Sequence, residues 1–138
     1  MLADFTLEQV SELNRRYGSP LPNVTTLNQF YDLLGGQPYL TRRGLYELTS
    51  HKLAFAEFTS QAARDEGPFG DHLRRILVSL AQDQTLCDVV RKLLSGRPSS
   101  TLDAFYRLRS AGVVSGESAR EMRPRCHLYQ IYLAQHLL

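Results

Sequence analysis

The chain has 138 residues, 43% of them hydrophobic, which suits one compact domain or two very small ones and is too apolar for a disordered tail. Its formal charge is +2, and its two cysteines, Cys87 and Cys126, stand in neither CxxC nor Cys/His metal spacing. No apolar run approaches the roughly 18–20 residues that span a bilayer, and no signal peptide precedes the first helix signal; the expectation is a cytoplasmic protein with reduced thiols, no metal and no membrane partner.

Thr6, with Gln9 at the capping-box position, opens a first helix carrying Leu7, Val10, Leu13 and Tyr17 on one face, and Gly18-Ser19-Pro20 ends it. After a Leu21-Pro22-Asn23 linker, a second helix is expected to be capped near Thr25 or Thr26. It carries Leu27, Phe30, Tyr31 and Leu34 and stops at Gly35-Gly36. Pro38 suits the first turn of a third helix, where its missing N–H has no partner to lose. That helix runs through Leu40, Leu45 and Leu48, and a weaker fourth covers about Leu53 to Arg64.

Gly67-Pro68-Phe69-Gly70 is the best internal boundary, dividing the chain into 1–66 and 67–138. Leu73, Ile76, Leu77 and Leu80 then mark a fifth helix. Asp83 caps a sixth, Gln84 to Ser95, and Ser100 with Asp103 opens a seventh, which Gly112 ends. There the period changes: Val113-Val114-Ser115, a Gly116-Glu117-Ser118 turn, and Ala119 to Arg123 read as a small hairpin closed by Pro124. A last helix runs from about His127 to Leu138, with Leu128, Ile131, Tyr132 and Leu137 on its apolar side and a Tyr129/Tyr132 stripe that reads as core. Three helices followed by a hairpin is the order of a winged helix-turn-helix. The expected fold is therefore mainly α, a helical bundle over 1–66 followed by a winged helix with a small β-hairpin over 67–138.

Charge follows the same division. Residues 1–66 hold 6 Lys/Arg against 8 Asp/Glu, a balance of −2, and residues 67–138 hold 10 against 6, a balance of +4. The C-terminal half is thus the side better suited to phosphates, although an arginine-rich solvated face is the commoner explanation of such an excess.

Two stretches resemble a known family. Leu34-Gly35-Gly36-Gln37-Pro38-Tyr39-Leu40, at the junction of two helices, resembles the Gly-x-Pro signature of signal-transduction ATPases with numerous domains. Phe105 to Val114, continuing to Arg123-Pro124-Arg125-Cys126-His127-Leu128-Tyr129, resembles the end of the bacterial AAA-like domain of large signalling proteins, and Gly67 to Arg75 fits the same domain. The resemblance covers essentially the whole chain in order. It implies the helical lid and winged helix of a AAA-like switch ATPase, acting as a nucleotide-sensing and conformational-relay module. Its partners would be a P-loop domain and other domains of the same or another chain.

No Gly-x-x-x-x-Gly-Lys-[Ser/Thr] loop occurs in the sequence, nor an apolar strand ending in an acidic pair for Mg²⁺. Phosphoryl transfer depends on those groups. The chain is thus expected not to be an enzyme by itself, and ADP or ATP to bind only with a P-loop domain supplied elsewhere. No catalytic Ser/His/Asp, Cys/His or paired-carboxylate set is present.

The resemblance implies specific nucleotide contacts: Pro38 against the adenine ring, Gly36 permitting close backbone approach, Arg42 and Arg43 toward a phosphate, and His127 toward the ADP β-phosphate beside a helix N-terminus. Each has a plainer role. Pro38 starts a helix, the arginines form a solvated pair, and His127 is a surface or capping histidine; the family's usual aspartate after that histidine is Leu128 here. A winged-helix DNA-binding protein is the alternative. The seventh helix offers Arg107 and Arg109 and the hairpin Arg120, Arg123 and Arg125 for backbone phosphates, without the Asn/Gln/Arg cluster that reads base edges. A scaffold domain needing neither ligand is the third option.

Overall fold

The structure, a computed structural model, describes residues 3–138. Among them are eight α-helices and one two-stranded antiparallel hairpin, and the chain divides into two compact units between Gly70 and Asp71.

The first unit holds α1 (Leu7–Arg16), α2 (Val24–Leu34), α3 (Pro38–Ser50) and α4 (Phe55–Gln61). α1 starts as its sequence dictates: Thr6 Oγ1 accepts from the Gln9 N–H and the Gln9 side chain accepts from the Thr6 N–H, a reciprocal capping box. α2 begins earlier than expected. Its cap is Asn23, whose Oδ1 accepts from the Thr26 N–H at 2.9 Å, while Thr26 Oγ1 reaches back to the Asn23 N–H at 3.4 Å. Asn caps at least as well as Thr and sits here in the extended backbone that a cap needs. α4 is shorter than expected, because after Gln61 the chain tightens into successive three-residue turns (Arg64 N–H to Gln61 O, Gly67 N–H to Arg64 O, Gly70 N–H to Gly67 O).

The core of this unit is aromatic at its centre. The Phe58 ring lies 5.9 Å from that of Phe30 and 5.9 Å, edge to face, from that of Phe69, all three fully buried with Leu34, Leu40 and Leu45. Each such side chain contributes roughly 1.5–3 kcal/mol by leaving water, and Phe69 ties the 67–70 segment to α4. One polar group is buried with a purpose invisible in the helix pattern. Asn14 Nδ2 donates to the Leu21 carbonyl and Asn14 Oδ1 accepts from the Leu21 N–H, each at 3.0 Å, fixing the α1–α2 loop from inside.

The second unit comprises α5 (Gly70–Ala81), α6 (Gln84–Leu94), α7 (Leu102–Ser110), the strands β1 (Val114–Ser115) and β2 (Arg123–Pro124), and α8 (His127–Leu137). Asp83 caps α6 as expected, accepting from the Leu86 N–H. Thr101, not Ser100, caps α7, accepting from the Ala104 N–H at 3.1 Å. The hairpin also differs from the reading of Ala119 to Arg123 as a strand. Ala119–Glu121 is a single 3₁₀ turn closed by Glu121 N–H to Ser118 O, and pairing resumes only after the buried Met122. Val114 then faces Pro124 and Ser115 faces Arg123. Pro124 thus lies within β2 instead of closing the hairpin, at an edge where its missing N–H is tolerated. Leu73, Val90, Phe105, Leu108, Leu128 and Tyr132 form the buried centre of this unit, so the Tyr132 side chain is core, as is Tyr129. Among the described residues no helix is long and apolar enough to cross a membrane.

Candidate nucleotide-facing site

The junction of α2 and α3 is built from four successive residues. Gly35 closes α2 in the left-handed conformation, φ 63°, and Gly36 follows at φ 71°. Two left-handed residues in a row reverse the chain within one turn, so α3 leaves as α2 ends. Gln37 caps α3 with its side chain, accepting from the Leu40 N–H at 2.6 Å, and Pro38 occupies the first helical position. Pro38 is half-buried, and Tyr39 beside it is 49% exposed.

Gly36 is buried for a reason internal to the fold. Its carbonyl accepts from the Phe5 N–H at 2.7 Å, and a Cβ at this position would lie 2.2 Å from the Phe5 carbonyl oxygen. The segment before α1 thus crosses directly over the glycine pair. Arg42, one turn into α3, stacks over the Phe5 ring at 5.5 Å. Gly36, Pro38 and Arg42 therefore lie around the start of α3 together with Phe5, a residue that local sequence gave no reason to place there.

Arg43 is turned elsewhere. Its Nη2 lies 2.7 Å from Glu47 Oε1, its Nε donates to the Pro68 carbonyl at 3.4 Å, and its guanidinium lies over the Tyr46 ring at 5.7 Å. Glu47 is itself buried and also meets His51 at 3.2 Å. Adjacent arginines on a helix diverge by about 100°, and here they serve two different local networks.

His127 belongs to the second unit. It is the first residue of α8 and is exposed, following Cys126, whose side chain makes no cap hydrogen bond. Of the arginines considered for nucleic acid, Arg107 Nη2 pairs with Asp83 Oδ2 at 2.6 Å, and Arg109 stacks over Phe105 at 6.0 Å. The Asp83 carboxyl is held below its usual range, by the Leu86 N–H first and by Arg107 next. Arg120 and Arg123 are exposed along the hairpin, and Arg125 is half-buried, its N–H bonded to the Val113 carbonyl at 3.0 Å.

One polar pair was not legible beforehand. His72 on α5 and the Tyr129 hydroxyl on α8 lie 2.6 Å apart, although 57 positions separate them in the sequence. Burial lowers the His72 pKa, with the charge of Arg75 acting in the same direction, so its imidazole is neutral at physiological pH. No group of His, Cys, Asp and Glu among the described residues is arranged to hold a metal ion.

A mainly helical chain of two small units, with a glycine-proline helix junction in the first and a helix-hairpin-helix ending in the second, defines the class. The chain belongs to the AAA-like domain family, whose model matches residues 1–135. No curated protein and no solved structure compared with it matches.

Proposed function

We propose that this chain is the helical lid and winged helix of a AAA-like ATPase, a module that closes over an adenine nucleotide held by a P-loop domain and relays its state to attached domains. The observation that carries this reading is the Gly35–Pro38 junction. It sets an apolar ring, Pro38, at the open start of α3 beside the exposed Tyr39, on a backbone fixed from below by Phe5. Such an edge suits one face of an adenine base, and Arg42 adds a cation one turn away. The nucleotide, when bound, supplies the phosphates whose hydrolysis changes state; this chain's residues bind and orient. Arg43, engaged by Glu47 and Pro68, is left out of the proposal.

The reading of the second unit as a winged helix is supported by its order of elements, α5, α6, α7, β1, β2, α8. Its use as a packing module is supported by Arg107 and Arg109 of α7 being engaged within the unit, by Asp83 and Phe105. His127 is a separate candidate for a phosphate contact. A charge-assisted hydrogen bond there is worth about 1.5–3 kcal/mol, or roughly one to two decades in affinity. A relay requires different contacts in the two nucleotide states, since a ligand of equal affinity for both shifts nothing.

The test joins the chain to the P-loop domain of a AAA-like ATPase and follows release of a fluorescent ADP analogue. Release is expected to be slower with this chain present than from the P-loop domain alone, and Pro38→Ala and His127→Ala are each expected to restore part of the faster rate. The 138-residue chain by itself is expected to turn over no ATP. Equal release rates with and without the chain would remove the reading.

A further inference from the structure

The second unit carries a cleft that the nucleotide reading does not use. It encloses about 310 Å³ between α5 on one side and α6, α7 and the residues between α7 and β1 on the other. Its floor is apolar: Leu80, Leu108 and Val113 are buried, with Ile76 and Leu86 half-buried beside them. Its α5 side is polar, formed by His72, Arg75 and Ser79. A second hollow, about 520 Å³, runs along the other flank of α5 past Val78, which is 55% exposed, and shares Arg75 and Ser79 with the first. Arg75 and Ser79 thus form a ridge with a depression on either side.

Among the residues lining the two hollows, the charges single out one. Arg74 is paired with Asp71, Arg91 with Asp88 and Arg107 with Asp83. Arg75 is exposed and has no carboxylate partner among the described residues. It also stands in the half of the chain with the positive balance.

We propose that the α5 ridge binds an acidic peptide segment bearing apolar residues: one carboxylate pairs with Arg75, one apolar side chain fills the cleft over Leu108 and Val113, and a second rests on Val78. An apolar pocket beside an arginine is the usual composition of a binding hot spot. The volume of the inner cleft lies at the small end of the roughly 300–1,000 Å³ typical of ligand pockets. Two hollows on opposite flanks of one helix fit an extended chain crossing the ridge better than a single small molecule seated in one. Duplex DNA offers phosphates for Arg75 but nothing apolar for the floor, which would be covered by polar backbone without gain. The proposal shares no residue with Pro38, Arg42 or His127, so it stands or fails independently of the nucleotide reading.

A fluorescein-labelled peptide of Glu, Asp and Leu tests it by anisotropy on the 138-residue chain, with one control peptide carrying Ser for Leu and another Lys for the acids. Saturable binding is expected for the first peptide, weakened about tenfold or more for either control, as one lost charged or apolar anchor implies. Arg75→Glu and Ala111→Trp are expected to weaken it similarly, the first by charge and the second by filling the cleft mouth, while Arg75→Lys retains most of it. On the unaltered chain, proton NMR should show the His72 imidazole titrating at higher pH in the complex, because a bound carboxylate offsets Arg75. Absence of binding, binding indifferent to both Leu and acid content, or an unmoved His72 titration would overturn the proposal. So would displacement of the peptide by hexanoate at equal concentration, or by duplex DNA.

Discussion

Replacing Gly36 by alanine tests whether the glycine pair serves the turn alone or also the Phe5 crossing. At φ 71° a side chain costs about 1–2 kcal/mol of backbone strain. The new Cβ would also lie 2.2 Å from the Phe5 carbonyl oxygen, a contact that rigid backbone on both sides cannot absorb in place. The segment before α1 must therefore lift, losing the Phe5–Gly36 hydrogen bond, about 1 kcal/mol, and the stacking of Arg42 on Phe5, about 0.5–1 kcal/mol. Against this, the unfolded chain loses flexibility, which returns about 0.4–1 kcal/mol. The net expectation is a loss of about 2–3 kcal/mol, or roughly 1–2 M in urea midpoint for a small domain. Urea unfolding followed by circular dichroism and by amide resonances of α3 measures it, and hydrogen exchange at the Phe5 amide reports the lifted segment directly. Gly18→Ala is the internal control: it too is left-handed, φ 90°, but a Cβ there has nothing within 4 Å. If the two substitutions cost the same, or if the Phe5 amide stays protected in Gly36→Ala, the close approach of Phe5 is not what requires glycine at position 36.

Asn14→Ala should cost about 2–4 kcal/mol in the same urea experiment, since it leaves both the N–H and the carbonyl of Leu21 without their buried partner; a loss below about 0.5 kcal/mol would show that the α1–α2 loop does not depend on the clamp. Thr41→Val should raise stability by about 1 kcal/mol, because the Thr41 hydroxyl is buried with no hydrogen-bond partner and valine fills nearly the same volume; destabilisation would mean the hydroxyl is satisfied. The lowered pKa of His72 makes the folded state bind its proton less readily than the unfolded chain, whose imidazole titrates near 6.5. The stabilisation is therefore fully present above that pH and is lost as pH falls through the lower folded value. His72→Gln should flatten the stability curve between pH 7 and 5 relative to the unaltered protein, as compared by thermal unfolding across that range; parallel curves would contradict the burial of the neutral ring.

The local networks also change how the arginines read. As a sequence, Arg42-Arg43 is one basic pair facing a phosphate or solvent. In the fold the two diverge, Arg42 onto an aromatic ring brought by the segment before α1, and Arg43 onto a buried carboxylate and the carbonyl of Pro68. Arginine's planar guanidinium serves both, stacking in one case and forking between acceptors in the other, which a lysine at either position would not reproduce.

The amino-acid order alone determined the helices, because their signals are local. A capping box at Thr6 and Gln9, a carboxylate cap at Asp83, paired glycines after Leu34 and a proline at position 38 act within one turn of the chain, and the structure keeps every one of them. Where residues able to cap lie close together, Asn23 with Thr25 and Thr26, or Ser100 with Thr101, local signals do not decide between them; Asn23 and Thr101, each in extended backbone, take the position. In the same way, Ala119–Glu121 looked like a strand from its position, yet closing a turn that buries Met122 made it 3₁₀. What tertiary structure decided lies between residues far apart in sequence: the Asn14 clamp on Leu21, the Phe5 crossing over Gly36, the Arg43 link to Pro68, and His72 against Tyr129. Polar side chains carry no periodic signal of their partners. Their pairing is fixed only when packing removes water and leaves each buried donor and acceptor to find the nearest complement.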